Sequence, residues 1–279
     1  MSNTPFISIL IPTYKRENYL EVCLKSVIQL VQDIDHEIIV VDNDYYSGKV
    51  KKIIKLVEEI SKANILHVCG DLLECTAESS MRKGLSLALG EYIWILGNDD
   101  YVTTDTNSFL RALKGWPDIV LAGNSCDDLR ILRNLRNFLP VLIFKRLVIM
   151  KLNLGMGHVP RFIIRRKYLI GGEFSYKYGN LGFMNLAIET LQCAKRIQVW
   201  TGENIKLDNA PSYIRDDVYH KVFVNDLAIQ CRKSNALLLG VIFFNKANRY
   251  VNQKPKNLME TIISLNYWTK SRLKNLVKK

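Results

Sequence analysis

The sequence has 279 residues and contains no CxxC pair and no Cys/His cluster with zinc-ligand spacing. That excludes the common structural zinc modules. It has no GxGxxG and no GxxxxGK[ST], so it carries neither a dinucleotide fingerprint nor a P-loop. Its longest apolar run, Ala236 to Phe244, falls well short of the roughly 18 residues that a membrane-spanning helix needs. No positively charged segment precedes Phe6 to Ile11, and that run is too short for a signal peptide. Repeats and low-complexity tracts are absent. The six cysteines lie mostly inside apolar stretches, which predicts buried free thiols in a reducing compartment. The expected location is therefore cytoplasmic, at most peripheral at the inner face of the cell membrane.

What the sequence does have is positive charge. Thirty-nine Lys+Arg against 27 Asp+Glu give a net +12, an excess that points to a polyanionic partner. Its distribution is uneven. The first 128 residues are net acidic, and the whole excess lies beyond them. Between 129 and 151, six basic residues and no acid alternate with Leu, Ile, Val and Phe; the last 35 residues hold nine basic residues against Glu260 alone. Two accounts of the 129–151 stretch stay open: a solvated helix pair packed on the domain, or a segment in the membrane interface with Lys and Arg toward anionic headgroups. The same choice applies to the C-terminal segment around Tyr267 and Trp268.

The first half alternates between short apolar runs and helical spacing. Phe6 to Pro12, His36 to Asp42, Ile65 to Val68 and Tyr92 to Leu96 read as strands. Between them lie helices marked by Leu20 to Val31, by Val50 to Val57, and by Glu74 to Leu89 with Gly90 as C-cap. This is a βαβ succession on a mostly parallel sheet, and Trp94 belongs to its core. Further on, 105–113 and 184–194 read as helices, and 118–122 and 162–165 as strands.

In such a sheet, ligands bind beyond the carboxyl ends of the strands. That edge collects Thr13 and Tyr14, then Asp42, then Asp99 and Asp100. Adjacent carboxylates on a tight turn repel unless a cation neutralises them, and all-oxygen ligands suit Mg²⁺ or Mn²⁺ bridging to phosphates.

Three segments taken together, Ser8-Ile-Leu-Ile-Pro-Thr-Tyr-Lys-Arg16, Glu37-Ile-Ile-Val-Val-Asp42 and Gly84 through Asn98-Asp99-Asp100, resemble family 2 glycosyltransferases of the GT-A fold in order and spacing. The resemblance implies an α/β, Rossmann-like sheet flanked by helices, with a basic, mainly helical C-terminal region. It divides the chain into a nucleotide-sugar-binding half (1–125), an acceptor-side half (126–215) and the basic C-terminal region (216–279). It implies a nucleotide-sugar donor, most often a UDP-sugar, and transfer of a hexosyl or N-acetylhexosaminyl group with inversion. The acceptor implied is a growing surface glycan or glycolipid of lipopolysaccharide or capsule type.

Carried over residue by residue, Pro12, Thr13 and Tyr14 match the segment around the base and ribose, and Arg16, which closes the same motif, joins the donor-binding residues. Asp42, with Asn43, matches the acid that hydrogen-bonds uracil, and Arg82 lies one place from the family's diphosphate arginine. Asn98 belongs to the DxD-type element, whose metal ligands are Asp99 and then Asp100. The departures are Asn43 where a second acid is usual, Gly97 or Asn98 at the first acid of the DxD element, and no Glu-Asp base motif. Glu173, Asp208, Asp216 and Asp217 are the base candidates, and His158 a loop histidine near the acceptor side.

Two other readings compete. One is an inactive GT-A-like binding or scaffold subunit. The other is a nucleic-acid-binding protein, suggested by charge alone and lacking an RNP pattern, zinc finger or helix-turn-helix. Nucleic acid is therefore not an expected partner.

Overall fold

The computed structural model describes residues 4–61, 63–71, 73–74, 76–123, 162–169, 182–201 and 205–207, with positions 134, 140, 144, 145 and 148. They fall within a compact unit drawn over Met1–Ile149 and Gly157–Pro211. Its centre is a seven-stranded sheet. In chain order the elements are β1 (Ile7–Thr13), α1 (Glu17–Val31), β2 (His36–Asp42), α2 (Lys49–Ser61), β3 (Ile65–Cys69), α3 (Ala77–Leu87) and β4 (Tyr92–Ile95). They continue with β5 (Asp100–Val102), α4 (Thr106–Leu113), β6 (Ile119–Gly123), β7 (Phe162–Arg165), α5 (Gly182–Cys193), β8 (Ile197–Thr201) and β9 (Ile205–Leu207). The strand order is β3-β2-β1-β4-β7-β6-β8, with β7 antiparallel to both neighbours and the other pairings parallel. β5 and β9 form a separate antiparallel pair. This is the mostly parallel α/β fold that the sequence predicts.

Each face of β1 is buried for a separate reason. Ile7, Ile9 and Ile11 join Leu20, Cys23, Leu24 and Val27 of α1 in the main core, while Leu10 lies beneath Gly84 of α3. Trp94 is fully buried, stacked on Phe109 at 5.6 Å, with Trp200 edge-on at 6.2 Å.

Local chemistry moves two of the predicted boundaries. α3 starts at Ala77 rather than near Glu74, because Thr76 caps it: its Oγ1 accepts the Ser79 N–H at 3.0 Å, and Ser79 Oγ accepts the Thr76 N–H at 3.2 Å. The helix closes at Leu87, so Gly90 is not its C-cap. Gly90 answers to a close approach instead: a Cβ there would lie 2.4 Å from the Ser8 backbone nitrogen. Its N–H donates to Ser8 Oγ at 2.7 Å, and Ser8 Oγ donates to Glu37 at 2.5 Å. That network locks the lower edge of the sheet, where β1 and β2 begin.

Among the described cysteines, the expectation of buried thiols holds for Cys23 alone. Cys69 is half-buried at a strand end and Cys193 is exposed where α5 stops; Cys75, Cys126 and Cys231 lie outside the described residues. Among the described residues, no helix is long and apolar enough to cross a membrane.

Candidate active site

The polar groups gather at the upper edge, beyond the carboxyl ends of β1, β2 and β4. β1 ends at Thr13, whose hydroxyl accepts from Asn98 Nδ2 at 2.8 Å, and both residues are buried. The Thr13 carbonyl accepts the Asn43 N–H at 3.0 Å. The first strand thus ties the loops after the second and fourth into one floor.

The Gly97–Asp100 turn follows β4. Gly97 N–H donates to Asp100 Oδ2 at 2.8 Å, and the Asp100 N–H returns a bond to the Gly97 carbonyl at 3.1 Å. Cys23 Sγ lies 3.6 Å from that same carbonyl, from below, and burial pushes its thiol up. A Cβ on Gly97 would sit 2.7 Å from Asp100 Oδ2 and 2.8 Å from Asp99 Oδ1. Both carboxylates therefore converge over the space that glycine leaves open. Burial is the largest influence on Asp100; the Gly97 N–H opposes it, Asp99 reinforces it and Arg16 opposes it, and the net effect pushes the carboxyl up to about 7. Asp99 is paired with the Arg16 guanidinium, at a side-chain exposure of 24% against 17% for Arg16.

One strand over, Asp42 is fully buried, and both of its oxygens are engaged. Oδ1 accepts the Asp44 N–H at 2.8 Å, and Oδ2 lies 3.2 Å from His67 Nε2. The Tyr45 ring packs on His67 at 4.7 Å. Asn43 is buried too, accepting from Ser80 Oγ at 2.9 Å and donating to the Thr76 carbonyl at 3.3 Å. Tyr14 is exposed at the rim, with Lys15 Nζ 5.0 Å over its ring.

The structure thus brings Thr13, Arg16, Asn98, Asp99 and Asp100 into one linked group, with Asp42 and Asn43 on the adjoining strand end. Pro12 stays inside β1, paired with Val41. Arg82, on α3, is held by an ion pair with Glu74 just ahead of that helix. Glu173, Asp208, Asp216, Asp217 and His158 lie outside the described residues, as do most of 129–151 and the whole C-terminal region. Sequence reasoning missed His67 and Ser80. His67 could have been found as a lone imidazole two places before the end of a strand beside one that ends in Asp.

The residues suit a hard divalent cation. Two carboxylate oxygens converge over Gly97, and a metal there would relieve their mutual repulsion. Among the described residues no group of three or more His, Cys, Asp and Glu could hold a metal. Such an ion would have to take its remaining oxygens from water and from a bound diphosphate.

Residues 8–171 match the sequence profile of glycosyl transferase family 2, more than half of the chain. The chain belongs to that family. Abequosyltransferase RfbV of Salmonella typhimurium is 29% identical over 175 residues, 61% of this chain and 50% of that protein. The chain spans about half the length of this curated relative. Among solved structures, TarS of S. aureus (residues 1–349) in complex with UDP-GlcNAc superposes with a TM-score of 0.56 at 17% identity, covering 87% of this chain and 72% of that one. The mannosyltransferase PcManGT from Pyrobaculum calidifontis, in complex with GDP-Man and Mn²⁺, gives 0.55 at 14% identity, covering 100% and 89%. At these identities the likeness is one of fold, and the fold is that of the GT-A glycosyltransferases.

Proposed function

We propose that this protein transfers a sugar from a nucleotide-sugar donor, a UDP-sugar, to a growing cell-surface glycan of lipopolysaccharide type, with a divalent metal and with inversion at the anomeric carbon. The observation that carries this reading is the convergence of Asp99 and Asp100 over Gly97 at the upper sheet edge of a family 2 chain. The abequosyltransferase relative supports the lipopolysaccharide-type acceptor. UDP-GlcNAc in the staphylococcal neighbour and Mn²⁺ in the archaeal one support donor and metal.

Each residue has a part in this scheme. Tyr14, exposed at the rim, offers a ring face to the base. Asp42 and Asn43, sealed by His67, Asp44, Ser80 and Thr76, hold the floor beneath it. Thr13 and Asn98, bonded to each other, serve the ribose. Asp99 and Asp100 would hold Mn²⁺ or Mg²⁺, which when bound neutralises charge gathering on the departing diphosphate. Arg16 and Arg82 supply positive charge for that diphosphate. Inversion needs a carboxylate to take the proton of the acceptor hydroxyl, and Glu173, Asp208, Asp216 and Asp217 are its candidates. The basic residues beyond 128 suit an anionic acceptor or lipid surface, which would place the protein at the inner face of the cell membrane.

Replacing Asp99 with Ala should lower Mn²⁺-dependent transfer or hydrolysis of a UDP-sugar by at least about 100-fold. Wild-type turnover in that variant would refute the site. Binding of UDP with Mn²⁺ by the wild type without any turnover would favour a binding subunit instead.

A further inference from the structure

The Asp99–Asp100 pair already has a cation of its own. Arg16 stands 83 positions from Asp99 in sequence, yet its guanidinium reaches that carboxylate across the upper edge. Its backbone is fixed as the N-cap of α1, where the Leu20 N–H donates to the Arg16 carbonyl at 3.1 Å, and its side chain makes no capping bond. The residue before it, Lys15, has φ of +51°, a left-handed conformation that a non-glycine residue rarely adopts. The β1–α1 turn is thus held in an uncommon shape that delivers Arg16 to the carboxylates. A guanidinium is permanently charged, and its planar fork matches both carboxylate and phosphate oxygens.

We propose that Arg16 is an internal counter-cation that competes with the divalent metal for Asp99 and yields it only when a nucleotide diphosphate arrives to take the guanidinium. Metal and nucleotide then bind as a coupled pair, each raising the affinity of the other by the same factor. The inference rests on the donor reading above and deepens it. Without it, metal and nucleotide would be coupled only through the diphosphate oxygens that complete the metal's shell, and Arg16 would only add affinity for phosphate. With it, Arg16 opposes the metal in the empty protein and assists the nucleotide in the full one.

The test is calorimetric titration of the full chain with MnCl₂, alone and with saturating UDP, in wild type, Arg16→Gln, Arg16→Lys and Lys15→Gln. Wild type should bind Mn²⁺ alone about tenfold more weakly than in the presence of UDP, a coupling of ordinary size. Arg16→Gln should bind Mn²⁺ alone about tenfold more tightly than wild type and show a smaller UDP enhancement, keeping the part that the diphosphate oxygens supply. Arg16→Lys, with charge kept but the planar fork lost, should fall between them. Lys15→Gln removes an equal charge one position away and should change Mn²⁺ affinity less than about twofold, with coupling intact. Equal or weaker Mn²⁺ binding by Arg16→Gln without nucleotide overturns the inference while leaving the donor reading standing. An equal gain in Lys15→Gln also overturns it, since general electrostatics would then suffice. Failure of the wild type to bind UDP at any Mn²⁺ concentration overturns the donor reading, and the inference with it.

Discussion

Two buried carboxylates at opposite ends of the same sheet are treated in opposite ways. Asp118, at the lower edge before β6, accepts the N–H groups of Lys195 at 2.8 Å and Arg196 at 3.0 Å, and Lys167 Nζ lies 3.2 Å away. Burial pushes it up, but the Arg196 and Lys195 N–H groups, with Lys167 and Tyr168, outweigh burial and hold it down at about 2. Asp100, at the upper edge, is as little exposed to solvent but lies deeper among protein atoms; burial, with Asp99 beside it, outweighs the Gly97 N–H and Arg16, and it is pushed up to about 7. The charge of a buried acid is decided by the depth of its burial and the donors facing it together. The lower carboxylate is complete within the protein. The upper pair has fewer donors, the Gly97 N–H on Asp100 and the Arg16 guanidinium on Asp99.

The sharpest way to break this contrast is Gly97→Ala. The atoms nearest the new Cβ belong to the Asp99 and Asp100 carboxyls, which would be driven apart from their present positions while the backbone stays in place. Turnover should fall at least about 100-fold while stability to urea changes by no more than about 1 kcal/mol. Joint loss of fold and activity would mean that the glycine is structural.

A second pair of variants should move stability in opposite directions. A raised carboxyl contributes stability below its unfolded value that is lost as pH rises through about 7. In metal-free protein at pH 8, Asp100→Asn should therefore gain on the order of 2–4 kcal/mol, a gain that disappears near pH 4. A depressed carboxyl contributes stability above its unfolded value that is lost as pH falls toward about 2. Asp118→Asn should lose about 2 kcal/mol at pH 7, with the difference closing as the pH falls through that window. Thermal melts of both variants against pH would check the signs, and equal signs would erase the contrast.

The strands of the first half were legible because parallel strands buried on both faces read as continuous apolar runs, as His36–Asp42 does. The carboxylate turn was legible because it ends such a run. What escaped depends on partners far along the chain. β5 is three residues long and exists through its pairing with Ile205–Leu207. Asp99 meets Arg16 across 83 positions, and Asp42 meets His67 across 25. Nothing in the order of residues says that Asp42 turns inward, because that follows from which side of β3 carries an imidazole. Gly90 was read as a helix cap because the backbone nitrogen it spares belongs to a strand 82 positions earlier.

The place of β7 in the sheet has a consequence for how the chain assembles. β3, β2, β1 and β4 are joined by successive short connections, whereas β7 must return from beyond residue 160 to lie between β4 and β6. Bringing a strand in from so far along the chain costs more chain entropy than any step before it, so the acidic half, with the floor made by Thr13, Asn43 and Asn98, should gain protection first in pulse-labelled amide exchange. The nascent chain would then hold most of the proposed donor site before the strand that pairs with β4 has been made.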